Sequence, residues 1–155
     1  MKKAMLMFAC LVAVVGAHAE NAHPAEEHHF HRHHVGVFLG GTHDYHDENA
    51  VTVGLDYEYR LTQLLGAMAF IDYAGGDIDS AVVGGGLFFH PIGDVRLLTA
   101  VGKEVHHGHS EFVVRLGALY DFHLEKWTLS PTLLFDILES GHLNVIYGLG
   151  VGRGF

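Results

Sequence analysis

Residues Val51–Leu61 read VTVGLDYEYRL, and apolar side chains occupy every second position between polar residues or glycine. Successive side chains of a β-strand point to opposite faces, so this period of two gathers the apolar residues on one face. A helix would mix both kinds of residue on every side. The segment therefore predicts a strand whose two faces meet different environments.

The same alternation recurs in seven further segments, at 34–42, 64–73, 81–90, 95–105, 112–122, 127–138 and 143–155. Each has about ten residues, the length that a tilted strand needs to cross a bilayer. Turn signals form a shorter set at 62–63, 91–94 and 123–126, and a longer set at 43–49, 74–80, 106–110 and 139–142. We predict an all-β fold, an eight-stranded antiparallel up-and-down transmembrane β-barrel with both chain ends on the short-turn side.

The composition of the two faces distinguishes a membrane barrel from a soluble lipocalin-like barrel, because the two are inversions of each other. The polar face is rich in glycine and carries charges of both signs, namely Asp56, Glu58, Arg60, Asp72, Arg96, Glu104, Arg115, Asp121 and Asp136. Inside a narrow lumen these charges can pair, whereas an arginine facing the middle of the bilayer would cost about 2–4 kcal/mol.

The apolar face carries aromatic residues near the short-turn ends of the strands, namely Tyr57, Tyr59, Phe89, Tyr120, Phe122, Trp127 and Phe155. An interfacial aromatic girdle of a membrane barrel lies at this level. We therefore predict that the apolar face meets lipid. A soluble periplasmic lipocalin-like ligand carrier is the alternative.

The N-terminal residues have the features of a signal peptide. Lys2 and Lys3 precede an apolar stretch at 4–17, and Ala17-His18-Ala19 is a small-x-small cleavage signal. The apolar stretch is shorter than the roughly 20 residues of a spanning helix. We predict a signal peptide at 1–19, a His-rich periplasmic tail at 20–33 and the barrel at 34–155. The chain has one cysteine, within the signal, so we expect no disulfide.

The net charge and the barrel size exclude two classes of function. The formal net charge is −9 with only nine lysines and arginines, which argues against nucleic-acid binding. An eight-stranded barrel has an interior that its own side chains fill, which argues against a porin with an open channel. We expect a monomer with no required cofactor.

Histidines are the most unusual feature of the composition, since the chain has 15 of them. Neutral imidazoles beside carboxylates suit Zn, Cu or Ni. The candidate ligands are His28, His29, His31, His33 and His34 in and beside the tail, and His43, His46, His106, His107 and His109 in the loops. No spacing matches a structural zinc motif, so a polar tail with ordinary loops is the alternative. His90, beside Pro91, is predicted to be structural.

The last segment, Leu143 to Phe155, reads LNVIYGLGVGRGF and resembles the closing strand of bacterial outer-membrane proteins. The whole predicted barrel is similar in size and layout to the small OmpA-like eight-stranded barrels. The resemblance implies that Tyr147, Leu149, Val151 and Phe155 form the signal read by the barrel-assembly machinery. It also implies periplasmic chaperones as partners during biogenesis, and a location in the bacterial outer membrane among its lipids and lipopolysaccharide. Arg153 departs from the pattern, although it can snorkel to water.

Some small outer-membrane barrels are enzymes that modify lipid A, as acyltransferases or deacylases. Here His43 or His46 with Asp79-Ser80, or the segment His107 to Ser110, resembles parts of their sites without the surrounding motifs. Asp-Ser pairs are also common in turns. We predict a non-enzymatic protein with a structural or surface role. Divalent-metal binding stays open as an additional function, and lipid A modification stays open as an alternative function.

Overall fold

The computed structural model describes residues 31–106 and 108–155. The predicted signal peptide, most of the tail, and the candidate ligands His28, His29 and His107 lie outside the described residues. Within those ranges, no helix is long and apolar enough to cross a membrane.

The chain forms antiparallel strands that close into a barrel. They are β1 (His33–His43), β2 (Asn49–Arg60), β3 (Leu65–Ala74), β4 (Ser80–Phe89), β5 (Val95–His106), β6 (His109–Tyr120), β7 (Phe122–Leu124), β8 (Trp127–Leu138) and β9 (Leu143–Gly154). Neighbours along the chain pair with each other from β1 to β6, β6 and β7 both pair with β8, and β9 joins β8 to β1. The predicted all-β, eight-stranded antiparallel barrel is confirmed, with β6 and the short β7 sharing one of the eight positions.

The division between β6 and β7 corrects the predicted continuous strand at 112–122. Asp121 stands between them, and its N–H donates to the Asp94 carbonyl at 2.8 Å. Its carboxylate is held on the lumen side by Arg96. This fixed residue interrupts the strand, and β7 continues as a short ladder against Trp127–Leu129 of β8.

The connecting segments are equally short at both ends of the barrel. The turn end carries residues 61–64, 90–94 and 125–126, and the loop end carries 44–48, 75–79, 139–142 and Gly108. The predicted contrast between short turns and longer loops is therefore wrong. Strand pairing continues into the predicted loops, so His106 and His109 are not loop residues but a cross-strand pair at the ends of β5 and β6. Gly108, with a φ of 83°, provides the left-handed conformation of this tight turn.

Apolar side chains cover the outer surface of the barrel in β1 to β6 and in β9. Exposed examples are Val37, Leu39, Val51, Val53, Leu55, Ile71, Val83, Val101, Leu116, Leu149 and Val151. Most of the predicted girdle, including Tyr57, Phe89, Phe122, Trp127 and Phe155, is exposed at the turn end. A soluble barrel has the opposite distribution, whereas a barrel embedded in a membrane requires this one.

The lumen contains a small apolar core between layers of polar residues. Phe38, Met68, Phe70, Phe88 and Leu98 are buried there, together with Val82, Ala100, Leu134 and Ile146. The Phe38 ring occupies the space where a Cβ at Gly40 or Gly148 would lie. These two glycines on β1 and β9 are directly paired, so the narrow lumen accommodates a large ring only because its neighbours lack side chains.

Candidate functional site

The turn end of the lumen is organised around Arg96. Its Nη2 donates to Asp121 Oδ1 at 2.8 Å and to Ser130 Oγ at 3.2 Å. Its Nε lies 2.8 Å from Asp121 Oδ2, and its Nη1 lies 3.7 Å from Glu58 Oε2. The guanidinium also lies 4.9 Å from the centroid of the Phe88 ring. One buried cation therefore lies between two carboxylates, that of Glu58 on β2 and that of Asp121 between β6 and β7.

His90 extends this network and is held through both ring nitrogens. Its Nε2 donates to Glu58 Oε1 at 2.7 Å, and Arg60 Nη2 donates to its Nδ1 at 2.5 Å. Arginine has donors only, so Nδ1 must be the accepting, unprotonated nitrogen. Both ring nitrogens are thus occupied by neighbouring side chains of the lumen, in agreement with the structural role predicted for His90.

Arg115 forms the middle layer of the lumen. Its Nε and Nη2 donate to Asp136 Oδ1 and Oδ2 at 2.6 and 2.7 Å, which is the bidentate geometry of a strong ion pair. Its Nη1 donates to Asp72. The guanidinium lies 4.1 Å from the centroid of the Phe70 ring. This layer ties β3, β6 and β8 together across the barrel.

Two cavities lie on either side of that layer, and Asp72 and Arg115 line both. The cavity towards the turn end has a volume of about 40 Å³ and includes His34 and Asp56 in its wall. That volume holds about three water molecules. The cavity towards the loop end has a volume of about 10 Å³. The lumen of the described barrel is thus divided by paired ions, in keeping with the prediction that it is filled by its own side chains.

The loop end of the barrel is covered by an apolar cluster and by an aromatic stack. Ile78, from the β3–β4 loop, is buried with Ala50 and Ala74. Tyr45 and His142 stack with their ring centroids 3.6 Å apart and an angle of 6°. These contacts bring the first and the last loop of this end together. The alternation pattern did not predict Ile78, whose only signal was an isolated apolar residue between Asp77 and Asp79.

The candidate metal ligands are divided between the two ends of the barrel. His31, His33 and His34 lie at the turn end, whereas His43, His46, His106 and His109 lie at the loop end. Across residues 31–106 and 108–155, no group of three or more His, Cys, Asp or Glu side chains is arranged to hold a metal ion. Zn, Cu or Ni binding by the histidines remains a prediction, in which His28, His29 and His107 are not described.

Individual histidines have other contacts in the structure. His33 Nδ1 lies 2.7 Å from the Tyr57 hydroxyl, and its ring stacks on Phe155 at 5.4 Å. His43 Nδ1 lies 3.1 Å from Asn49 Oδ1, and its Nε2 lies 3.7 Å from Asp47. His34 lies in the lumen against Gly152.

The residues of the predicted assembly signal lie on the closing seam. Tyr147, Leu149 and Val151 are exposed on the lipid-facing side of β9. Phe155 and His33 exchange backbone hydrogen bonds, at 2.9 Å from the Phe155 N–H and 3.2 Å from the His33 N–H. The signal residues therefore lie where the last strand meets the first. Their recognition during assembly remains a prediction.

Among the residues that the structure describes, those considered for lipid A chemistry do not form a nucleophile with an oriented base. Asp79 accepts from the Tyr73 hydroxyl at 2.7 Å, and Ser80 is buried in the lumen. A serine and a histidine do meet at the loop end, where Ser140 Oγ lies 3.0 Å from His142 Nδ1. The same hydroxyl donates to Glu111 at 2.9 Å. In a triad the acid must orient the imidazole, whereas this carboxylate contacts the hydroxyl itself.

No protein-family model and no curated protein matches this sequence. Solved structures match its fold. The N-terminal β-barrel domain of Pseudomonas aeruginosa OprF is 18% identical, with a TM-score of 0.57, over 79% of this chain and 97% of that one. A de novo designed transmembrane β-barrel is 16% identical, with a TM-score of 0.54, over 77% and 94% of the two chains.

Ail, the attachment invasion locus protein of Yersinia pestis, matches with 16% identity and a TM-score of 0.50, over 79% of this chain and 96% of that one. At such identities the likeness concerns the fold alone. With an apolar outer surface, an ion-paired lumen and these neighbours, the chain has the fold of the small eight-stranded outer-membrane β-barrels.

Proposed function

We propose that this protein is a non-enzymatic structural barrel of the bacterial outer membrane, with its loop end at the cell surface. The observation that carries the proposal is the filled lumen. Two arginine layers, around Arg96 and Arg115, cross-link the strands, and the cavities on either side of the Arg115 layer measure about 40 and 10 Å³. Such an interior suits a rigid structural barrel rather than a channel.

The absence of transport is tested by reconstitution. The purified protein is inserted into planar bilayers and into vesicles loaded with small sugars. We expect neither steady ion conductance nor sugar release. The matched variant is Arg115→Ala, which removes the layer between the two cavities, and its folding is checked by heat-modifiable electrophoresis. Steady conductance by the unmodified protein would refute the proposal.

The outer-membrane location is a further part of the proposal. Its support is the exposed apolar belt together with the fold of the solved neighbours. Separation of inner and outer membranes from cells that produce the tagged protein tests it. We expect the protein in the outer-membrane fraction, in a form that migrates faster before heating than after. Recovery as a detergent-free monomer from the periplasm would overturn it.

Recognition of the closing strand by the barrel-assembly machinery, with periplasmic chaperones before it, belongs to the same proposal. Tyr147, Leu149, Val151 and Phe155 lie beside the seam with β1, which supports the assignment. Phe155→Ala is expected to reduce the amount of assembled protein in cells while the purified variant still refolds in detergent. Equal assembly in cells would argue against this role for Phe155.

Binding of Zn, Cu or Ni by the His-rich tail is a second proposal, supported by the 15 histidines of the chain. Each metal is titrated into the protein lacking the predicted signal peptide and into a version that begins at His34. We expect the shorter version to bind more weakly. Dissociation constants above about 1 mM, roughly −4 kcal/mol, for both proteins would exclude a specific site.

A further inference from the structure

In the described strands, a single lysine stands among the apolar residues of the outer face. Lys103 on β5 is exposed and shares that face with its neighbours Val101 and Val105. Its cross-strand partners are Val83 on β4 and Phe112 on β6, and both are exposed as well. The ammonium group of Lys103 is therefore surrounded by lipid-facing apolar side chains.

Lys103 has no ion-pair partner in the part of the chain that the structure describes. Its β6 partner Phe112 accepts a hydrogen bond from the Glu139 N–H at 2.9 Å, so Phe112 stands between Lys103 and that glutamate. The other outward-facing cation, Arg153, is at the turn end, 6.0 Å from the centroid of the Trp127 ring. A charge on an apolar surface is costly without a partner, so the surroundings of the barrel must supply one for Lys103.

The level of Lys103 in the bilayer follows from the strand geometry. Val95, at the start of β5, pairs with Tyr120 of the predicted aromatic girdle, which marks the turn-end edge of the hydrocarbon. A strand rises about 3.3 Å per residue, or about 2.5 Å along the membrane normal at a tilt of roughly 40°. At Lys103 the strand has risen about 20 Å through an apolar band about 25 Å tall. The flexible stem of the lysine can extend from there to the loop-end edge of the hydrocarbon.

We propose that Lys103 binds the phosphate group of a membrane lipid in the leaflet at the loop end. Phosphates are the anionic groups that lipids carry just outside the hydrocarbon, at the level that the ammonium reaches. Ser110 is exposed opposite Val105 at the same rim, and its hydroxyl is a second donor for the phosphate oxygens. Val83 and Phe112 offer apolar surface to the acyl chains. The proposal rests on the membrane barrel described above and adds a preferred lipid to its structural role.

The acidic residues of the loop end favour a lipid over a dissolved anion as the occupant. Asp47, Asp77, Glu111 and Glu139 are all exposed at this end. An anion that approaches from the water meets their negative potential. A lipid instead reaches Lys103 within the plane of the membrane, below the loops, and its acyl chains stay among apolar side chains throughout.

The test titrates dioleoylphosphatidic acid into the refolded, full-length protein in uncharged detergent micelles. Reductive methylation with ¹³C-formaldehyde labels the lysines and keeps their charge, and the NMR signal missing from Lys103→Met identifies Lys103. We expect a saturable shift of that signal, with a midpoint about fivefold lower than for dioleoylphosphatidylcholine, because a net anionic lipid surface is worth about this factor for each lysine. Inorganic phosphate and dioleoylglycerol should leave the signal in place, since each lacks one half of the ligand.

Lys126, exposed in a turn at the other end of the barrel, is the reference within the same spectrum. Equal midpoints for Lys103 and Lys126 would mean that the charge of the micelle moves both signals, and they would overturn the proposal. An unshifted Lys103 signal would overturn it too, as would an equal shift with inorganic phosphate. Heat-modifiable electrophoresis of the labelled protein establishes folding separately, so a missing lipid response is distinguished from a failed barrel.

Glu139→Gln examines the nearest competing partner of Lys103. Since the glutamate repels a phosphate, we expect this variant to bind phosphatidic acid at least as tightly as the unmodified protein. A lipid response that appears only in Glu139→Gln would identify Glu139 as the partner of Lys103 and would overturn the proposal.

Discussion

Replacing Arg115 with methionine removes the cation of the middle layer while keeping most of the side-chain volume. In the unmodified barrel the guanidinium binds both oxygens of Asp136, contacts Asp72 and covers the Phe70 ring. All three charged side chains are buried, with Arg115 itself only 2% exposed. The variant would leave two carboxylates facing each other without a positive charge between them.

The cost follows from the loss of one partner of a buried ion pair, which amounts to about 3–5 kcal/mol. The lost contact with the Phe70 ring adds roughly 1 kcal/mol. Replacing the whole layer, as Arg115→Met with Asp72→Asn and Asp136→Asn, removes the uncompensated charges together with the cation. We therefore expect this triple variant to recover most of the loss, because well-packed neutral groups often replace buried ion pairs without a penalty.

The free energy of unfolding is measured by guanidinium titration of the refolded proteins in the same detergent or vesicle. Arg153→Met serves as the control, because Arg153 is exposed at the turn end and lies 6.0 Å from the Trp127 ring. We expect that control to change the free energy by less than about 1 kcal/mol. A loss below about 1 kcal/mol for Arg115→Met, or a triple variant no more stable than the single one, would refute the description of this layer.

Three further substitutions test other parts of the barrel by the same unfolding measurement. Gly148→Ala places a Cβ against the Leu39 carbonyl and the Phe38 ring, so we expect a loss of about 1–3 kcal/mol, whereas a stability equal to wild type would contradict the close packing of this seam. Leu149→Arg puts a charge on the lipid-facing side of β9, with an expected loss of about 2–4 kcal/mol in vesicles and a smaller one in water-rich micelles. His90→Phe leaves Glu58 without its ring donor, and we expect a loss of about 1–3 kcal/mol; ¹⁵N chemical shifts of the unmodified His90 ring should report a proton on Nε2 alone.

The strands could be predicted from the sequence because each one separates lipid from lumen, and that boundary imposes a period of two. The segment predicted at 51–61 is β2, Asn49–Arg60, and the one predicted at 127–138 is β8 with the same bounds. The sequence also predicted which face of each strand points into the lumen, because glycine and charges of both signs share that face. Periodicity does not indicate where pairing stops, and for this reason the strand ends at Asn49, Ser80 and His109 reach into the predicted loops.

The contacts inside the lumen could not be predicted in the same way. The alternation identifies Asp72, Arg115 and Asp136 as inward-facing residues, but the level of each along the barrel axis depends on the stagger between strands. Arg115 and Asp72 are 43 positions apart in the chain, and their contact requires the register of the three strand pairs that lead from β3 to β6. Asn144, which lines the small cavity, was missed because an uncharged polar residue on an inward face carries no separate signal.

Arginine residues connect the apolar and the polar parts of this interior. Arg96 lies over Phe88 and Arg115 over Phe70, so each guanidinium uses its flat face on a ring and its edge on carboxylates. Lysine could not make both contacts with the same geometry. The outer apolar side chains stay on the outer face in any register that is shifted by two residues, so they do not select one of these registers over another, whereas these directional contacts do. The lumen therefore specifies the register of the barrel, and the Arg115 ion pairs that help to specify it also separate the cavities of about 40 and 10 Å³.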